Sequence, residues 1–307
     1  MSKVRNKGRP LDGILLLDKP KGVTSNAALQ IVKRLYDARK AGHTGSLDPL
    51  ASGMLPICLG EATKFSQFLL EADKLYQVTA KLGVKTTTGD AEGEVLAEKP
   101  VPTLSRAVVE ELFARFTGTI QQIPSMYSAI KQNGQPLYKL ARQGIEVARE
   151  PREIQIYSMT YLAQTQDTFS FNVHSSKGTY IRTLVEDMGE ALECGAHVEA
   201  LRRLTVGVYQ PAQMQTLAHL QTLAESQDQV TMDSYLLPLD SAIDGWPELP
   251  LSEAAIYYLR QGQPVIAPYA PASGWVRITR KDGSFFGVGE ILDDGRVAPR
   301  RLVQQGV

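Results

Sequence analysis

The chain has 307 residues, 43% hydrophobic and 21% charged, enough to bury a substantial core and too ordinary for a disordered or collagen-like chain. Its longest aliphatic run, Ile14–Leu17, is far short of the roughly 20 residues of a membrane helix, no signal-like apolar stretch follows the basic N-terminus, and two cysteines, Cys58 and Cys194, read as reduced cytoplasmic thiols. The net charge of zero hides an asymmetry: residues 1–40 hold ten Lys/Arg against three acids, for +7, and residues 211–250 hold six acids and no Lys or Arg, for −6. Such a pattern fits a basic face opposed by an acidic one, or a basic tail and a solvated acidic linker.

In chain order, the apolar run Leu11–Asp18, closed by Lys19-Pro20-Lys21-Gly22, predicts a buried strand and a turn. Thr24 or Ser25 caps a helix with Ala28, Ile31, Val32, Leu35 and Tyr36 at helical spacing. Residues 41–56, rich in Gly, Pro, Ser and Thr, read as one long loop, and loops of that length are often functional. A short strand at Ile57–Leu59, a helix over Glu61–Leu70 and a strand over Leu75–Val84 follow, then a turn-rich connection, Thr86–Gly93. Thr103–Phe116 is an amphipathic helix. Residues 124–152 look like an insertion, with five Lys/Arg against two acids and Tyr127 and Tyr138 between them. Strands are expected at Ile154–Leu162, Thr168–His174 and Leu201–Tyr209, with a helix over Thr179–Leu192. Proline-marked, acidic sequence from Leu237 to Pro250 suggests a domain boundary, and Trp275–Thr279, Ser284–Ile291 and Arg296–Val303 a small β domain beyond it.

The loop from Gly42 to Gly53 carries the most chemical information. Its three glycines permit close backbone approach, and Pro49 biases Asp48 to an extended conformation, so the loop displays a carboxylate. Taken alone, an Asp-Pro more often starts a turn. The stretch is neither a nucleophile elbow nor a Walker loop. The four histidines and two cysteines lack metal-ligand spacing, and no glycine-rich βαβ fingerprint supports a dinucleotide. A protein without metal or cofactor is expected.

Leu17-Asp18-Lys19-Pro20-Lys21-Gly22-Val23-Thr24-Ser25, the Gly42–Gly53 loop running on to Gly60-Glu61-Ala62-Thr63-Lys64, and Lys177-Gly178-Thr179-Tyr180-Ile181-Arg182-Thr183-Leu184 together resemble the bacterial TruB type of tRNA pseudouridine-55 synthases, in order and over nearly the whole chain. The resemblance implies an α+β pseudouridine synthase fold: a curved, largely antiparallel mixed sheet flanked by helices, a thumb-like insertion at 124–152 within a catalytic domain of residues 1–249, and a PUA-like β domain at 250–307. It implies an isomerase that detaches the uracil at position 55 of the tRNA T loop from N1, rotates it and rejoins it through C5, with no cofactor.

By the same resemblance Asp48 is the catalytic aspartate. Breaking a nucleosidic bond requires a nucleophile at C1′ or C6, or a base for the C2′ proton, and a carboxylate serves in each role. Arg182 matches an arginine that pairs with it and opposes the rise in pKa that burial brings. Tyr76 matches a tyrosine that stacks on the extracted uracil, Tyr180 a second pocket tyrosine, and Leu201 an aliphatic contact to the base. His43 matches a residue that fills the stack the base has left, and Lys19, Pro20 and Lys64 match positions that shape the site or approach the RNA backbone. The expected partner is the T arm of tRNA, met by a cytoplasmic monomer with no obligate protein partner and no membrane. Three other readings compete: a synthase working in a guide-RNA particle, a tRNA-folding chaperone without chemistry, and a small-molecule hydrolase built on Asp48. The trio Asp48, Tyr76 and Arg182 argues against the second, and the lack of a second acid or metal set against the third.

Overall fold

The computed structural model describes residues 8–304 except 129 and 133. A nine-stranded mixed sheet organises residues 13–216. Its strands are β1 (Gly13–Lys19), β2 (Ala41–His43), β3 (Ser52–Leu59), β4 (Lys74–Leu82), β5 (Gly118–Gln122), β6 (Arg152–Gln164), β7 (Thr168–Ser175), β8 (Ala196–Val206) and β9 (Gln215–Thr216). The order is β9-β1-β3-β8-β4-β7-β6-β5, with β2 on β3. Only β1/β9 and β3/β8 are parallel, so the sheet is largely antiparallel.

Four helices cover this sheet: α1 (Ser25–Leu35), α2 (Arg106–Phe116), α3 (Ile181–Ala191) and α4 (Leu217–Glu225). Each buries an apolar stripe, such as Ala28, Leu29 and Val32 of α1 or Leu184, Val185 and Met188 of α3, in one core with Leu15, Leu17, Leu55, Ile57 and Val78 of the sheet. The alternate residues of β1 and β3, Ile14, Leu16, Met54 and Cys58, enter a second core on the opposite face with Leu69, Val206 and Tyr209. Both faces of β1 and β3 are therefore dry, which is why these strands read as unbroken apolar runs.

That burial explains where expectation and structure part. Residues 41–56 are not one loop: β2 and the first five residues of β3 lie inside that span, and only 44–51 are left between the two strands. The run Met54–Leu59 has no period of two, and Pro56, paired with Leu16, argues on its face against a central strand. Glu61–Leu70 is a 3₁₀ turn, Gly60–Lys64, followed by a short helix, Ser66–Glu71. The strand expected at Leu201–Tyr209 begins five residues earlier and ends at Val206; buried His197 and Arg203 break its apolar pattern. Helix α2 starts at Arg106, capped by the Ser105 hydroxyl. The insertion is shorter than expected, because Arg152 already pairs with Gln122 as the first residue of β6.

The acidic stretch is not a linker, because it forms β9, α4 and a short helix, Gln229–Ser234. Nor does it sit opposite the basic segment. Arg9 pairs with Asp233, and the Tyr36 hydroxyl donates to the Met232 carbonyl at 2.7 Å.

A second, four-stranded sheet comprises β10 (Glu248–Leu251), β11 (Gly274–Arg280), β12 (Phe285–Ile291) and β13 (Val297–Leu302). With α5 (Glu253–Arg260) it encloses its own core of Leu249, Ile256, Leu259, Val276, Ile278 and Phe286. Strand β10 straddles the expected boundary at 249/250.

Candidate active site

Three chain segments converge on the 44–51 loop and determine where Asp48 points. The Lys19–Ser25 turn lies beneath it: the Gly22 N–H donates to the Pro49 carbonyl at 2.7 Å, and the Ser25 hydroxyl bonds both the N–H and the C=O of Leu47, at 2.7 and 3.0 Å. Lys19 is wholly buried, and its ammonium satisfies the Pro20 and Val23 carbonyls at 2.9 and 2.7 Å. Burial pushes its pKa down to about 8 against the pull of Asp48. Lys19 thus builds the turn that carries the loop, with Pro20 exposed at its crest.

Arg203 of β8 reaches the loop from the sheet. It is 2% exposed; its Nε donates to the Met54 carbonyl at 2.7 Å and its Nη2 to the Gly45 carbonyl at 3.0 Å. One planar guanidinium therefore ties the two ends of the loop together, a task for a rigid fork of donors rather than a point charge. Gly53 allows this approach: at φ +98° a Cβ would lie 2.2 Å from the Arg203 carbonyl.

Helix α3 brings the third segment. The chain turns into it through Gly178, at φ +78°, a conformation that other L-residues rarely adopt. Arg182, in the first turn of α3, sets its Nε 3.1 Å from the Asp48 Oδ2. Its Nη1 donates to the Thr88 carbonyl at 3.1 Å and lies 3.6 Å from the Asp90 Oδ2. Its Nη2 donates to the Tyr127 carbonyl at 2.7 Å. Asp90, 3% exposed, is held in turn by the Thr88 hydroxyl at 2.6 Å and the Glu92 N–H at 3.1 Å.

Burial raises the Asp48 pKa from its ordinary value; Arg182 and Lys19 oppose the rise and Asp90 adds to it. Part of the carboxylate stays open to a cavity of about 690 Å³ lined by Asp48, His43, Tyr76, Tyr180, Arg182 and Leu201. Tyr76 and Leu201 come from neighbouring strands: Tyr76 lies opposite Arg203, and Leu201 opposite Val78. Tyr127, Tyr138 and Arg142 of the insertion line the same space, with the Arg142 guanidinium over the Tyr138 ring. His43 ends β2 with its Nδ1 buried and without a hydrogen-bond partner among the described residues. Burial and the neighbouring Arg203 lower its pKa.

Of the residues singled out from the sequence, Asp48, His43, Tyr76, Tyr180, Arg182 and Leu201 meet at this cavity, and Lys19 and Pro20 support its loop from below. Lys64 does not join them. Its ammonium pairs with Glu61 at 2.7 Å and donates to the Leu302 carbonyl at 3.0 Å, joining the first unit to the second. Asp90, Arg203 and Lys74, which also line the cavity, escaped the sequence reading.

The sequence comparisons with known proteins converge on one family. Residues 33–181 match a model described as the TruB family pseudouridylate synthase N-terminal domain. Residues 182–244 match a tRNA pseudouridylate synthase B C-terminal domain, and 247–303 a pseudouridine synthase II TruB C-terminal model. The tRNA pseudouridine synthase B of Coxiella burnetii (strain RSA 493) is 57% identical over 97% of this chain and 96% of its own. That of Ectopseudomonas mendocina is 55% identical over 100% of both. The fold is shared with a protein of an H/ACA RNP bound to a substrate RNA containing 2′-deoxyuridine, at a TM-score of 0.72 and 22% identity over 95% of this chain and 85% of that one. The chain belongs to the TruB family of tRNA pseudouridine synthases and is an isomerase.

Proposed function

We propose that this enzyme converts uridine 55 in the T loop of tRNA to pseudouridine, with Asp48 as the catalytic residue and no cofactor. The observation that carries this reading is the Asp48–Arg182 pair, 3.1 Å apart, at a cavity walled by Tyr76 and Leu201. A uracil inside a folded T loop cannot reach a carboxylate in such a cavity, so the nucleotide is flipped out first. Tyr76 offers the ring on which the extracted base stacks, Tyr180 and Leu201 bound the space around it, and His43 fills the gap left in the loop.

The reaction breaks the C1′–N1 bond, rotates the base and forms C1′–C5, while C5 loses its proton and N1 gains one, so substrate and product have the same mass. Asp48 acts on the ribose or the base as nucleophile, or removes the C2′ proton; both roles need its ionised form. Arg182 balances the negative charge of that form in a site where burial disfavours it.

The insertion that follows β5 grips the T arm, the second unit from β10 to β13 forms the PUA-like RNA-binding domain, and the enzyme works in the cytoplasm as a monomer without protein partners. The test is a bare T-arm stem-loop labelled with tritium at uridine C5 and incubated with the purified protein. Tritium release, with pseudouridine in the nucleoside digest, is expected. A strict requirement for a guide RNA or a second protein would favour the particle-bound class instead.

A further inference from the structure

Gln122 is the last residue of β5, where the chain leaves the sheet for the insertion, and its side chain is 2% exposed. Its amide forms a reciprocal pair with the backbone of a single residue. Oε1 accepts from the Tyr180 N–H at 2.7 Å, and Nε2 donates to the Tyr180 carbonyl at 3.0 Å. Tyr180 is the N-cap residue of α3, yet its own side chain makes no capping bond; the ring lines the cavity instead. Gln122 therefore satisfies from β5 the N-cap backbone N–H that the N3 side chain of a capping box satisfies from within a helix. Two bonds to the two polar groups of one residue define its orientation as well as its position.

The same stretch of chain touches the site again five residues later, where the Tyr127 carbonyl accepts from the Arg182 Nη2 at 2.7 Å. The root of the insertion thus holds α3 at Tyr180 and at Arg182, on either side of the helix start.

We propose that Gln122 is a positioning residue of this reaction: with the Tyr127 carbonyl, it makes the root of the insertion set the orientation of Arg182 against Asp48. The proposal rests on the assignment of Asp48 as the catalytic carboxylate. The amide is not replaceable by its nearest relatives. A glutamate would set a carboxylate oxygen against the Tyr180 carbonyl, and a leucine would leave the Tyr180 N–H without a partner in a buried setting.

The charged groups facing Asp48 are Arg182, Asp90 and Lys19. A displaced Arg182 no longer opposes the burial of Asp48, so the carboxyl stays protonated to higher pH. The experiment compares Gln122→Leu with Ile120→Val, a packing change on the same strand. It measures single-turnover tritium release at saturating enzyme across pH, the dissociation constant for T-arm RNA, and the melting temperature. For Gln122→Leu the rate per bound RNA falls on the order of tenfold, as expected when a reacting group is misplaced, and the acid limb of the profile moves to higher pH. RNA affinity stays within about twofold, since phosphate and shape contacts supply it. Ile120→Val lowers the melting temperature and moves neither the rate nor the limb. Should Gln122→Leu not fold, Gln122→Asn, which keeps the amide one methylene short, carries the same expectations. A Gln122 variant that melts earlier but turns over bound RNA at the wild-type rate with an unmoved acid limb overturns the proposal. Absence of tritium release by the wild-type enzyme would instead overturn the catalytic assignment. Hydrogen exchange at the Tyr180 amide, protected in wild type and Ile120→Val and exposed in Gln122→Leu, reads the positioning contact on its own.

Discussion

At Asp48 two environments compete: burial favours the neutral acid, Arg182 favours the anion, and burial prevails. In the catalytic role proposed for Asp48 the anion is the reactive form, so the pH–rate profile should show an acid limb above the ordinary carboxylate range, measured by tritium release at saturating enzyme. The same shift has a consequence for stability. A carboxyl held above its ordinary value binds protons more tightly in the folded chain than in the unfolded one, so its contribution is full at low pH and is lost as pH rises through the raised value. Melting temperatures of wild type and Asp48→Asn, compared from acid to neutral pH, should therefore move apart in favour of the variant. Arg182 does not become an orphan in that variant, because Thr88, Tyr127 and Asp90 still hold it.

Arg203→Lys tests the clamp across the loop. A lysine keeps the charge but cannot span the Met54 and Gly45 carbonyls, and about 1–2 kcal/mol of stability should be lost in denaturant titration; turnover of bound RNA should fall about tenfold. That Asp48, Arg182, Tyr76 and Tyr180 share one cavity was legible because short motifs surround them. Asp90 was not, since an Asp in a Thr- and Gly-rich turn looks like an ordinary turn residue until α3 folds over it. In the Arg202-Arg203 pair, alternation sends Arg202 to Asp18 at 2.7 Å and Arg203 into the protein. Nothing in the local pattern says which faces inward.

Among the elements, the insertion departs most from what its sequence conveys. Its basic residues and tyrosines suit the proposed grip on RNA, and a deletion of 124–151, which spares the Arg152–Gln122 pairing, should leave a folded enzyme that binds T-arm RNA poorly. The structure adds a second effect. Deletion removes the Tyr127 carbonyl from Arg182, so turnover should drop even at RNA concentrations that restore binding, as single-turnover rates extrapolated to saturation will show. The amphipathic helices and alternating strands such as β4 were readable, because one wet and one dry face impose a period on the residues. Strands β1 and β3 have two dry faces, and that period vanishes. Register then depends on partners far along the chain, such as Arg203 opposite Gly53, which no window of sequence contains.

Across the whole molecule the two sheets are joined by side chains from both sides. Phe68 packs edge-on against Trp246 and Trp275, Phe65 against Phe285, and Arg277 pairs with Asp240 at 2.5 Å, both mostly buried. Arg277→Ala strands Asp240 and should cost about 3 kcal/mol of stability, read by thermal or denaturant unfolding, with little change in turnover on a T-arm stem-loop. Part of the basic N-terminal segment is spent on Asp233, but Lys21, Arg34, Arg39 and Lys40 remain exposed, so RNA affinity should fall steeply with salt despite the zero net charge. In the proposed reaction Asp48 performs the chemistry while other groups hold the RNA. Asp48→Asn separates the two, assayed for T-arm binding by filter retention and for pseudouridine by nucleoside analysis under conditions where wild type goes to completion. No pseudouridine and retained or tighter binding are expected. Wild-type conversion by the Asn variant, or loss of binding together with activity in a folded protein, would overturn that division of labour.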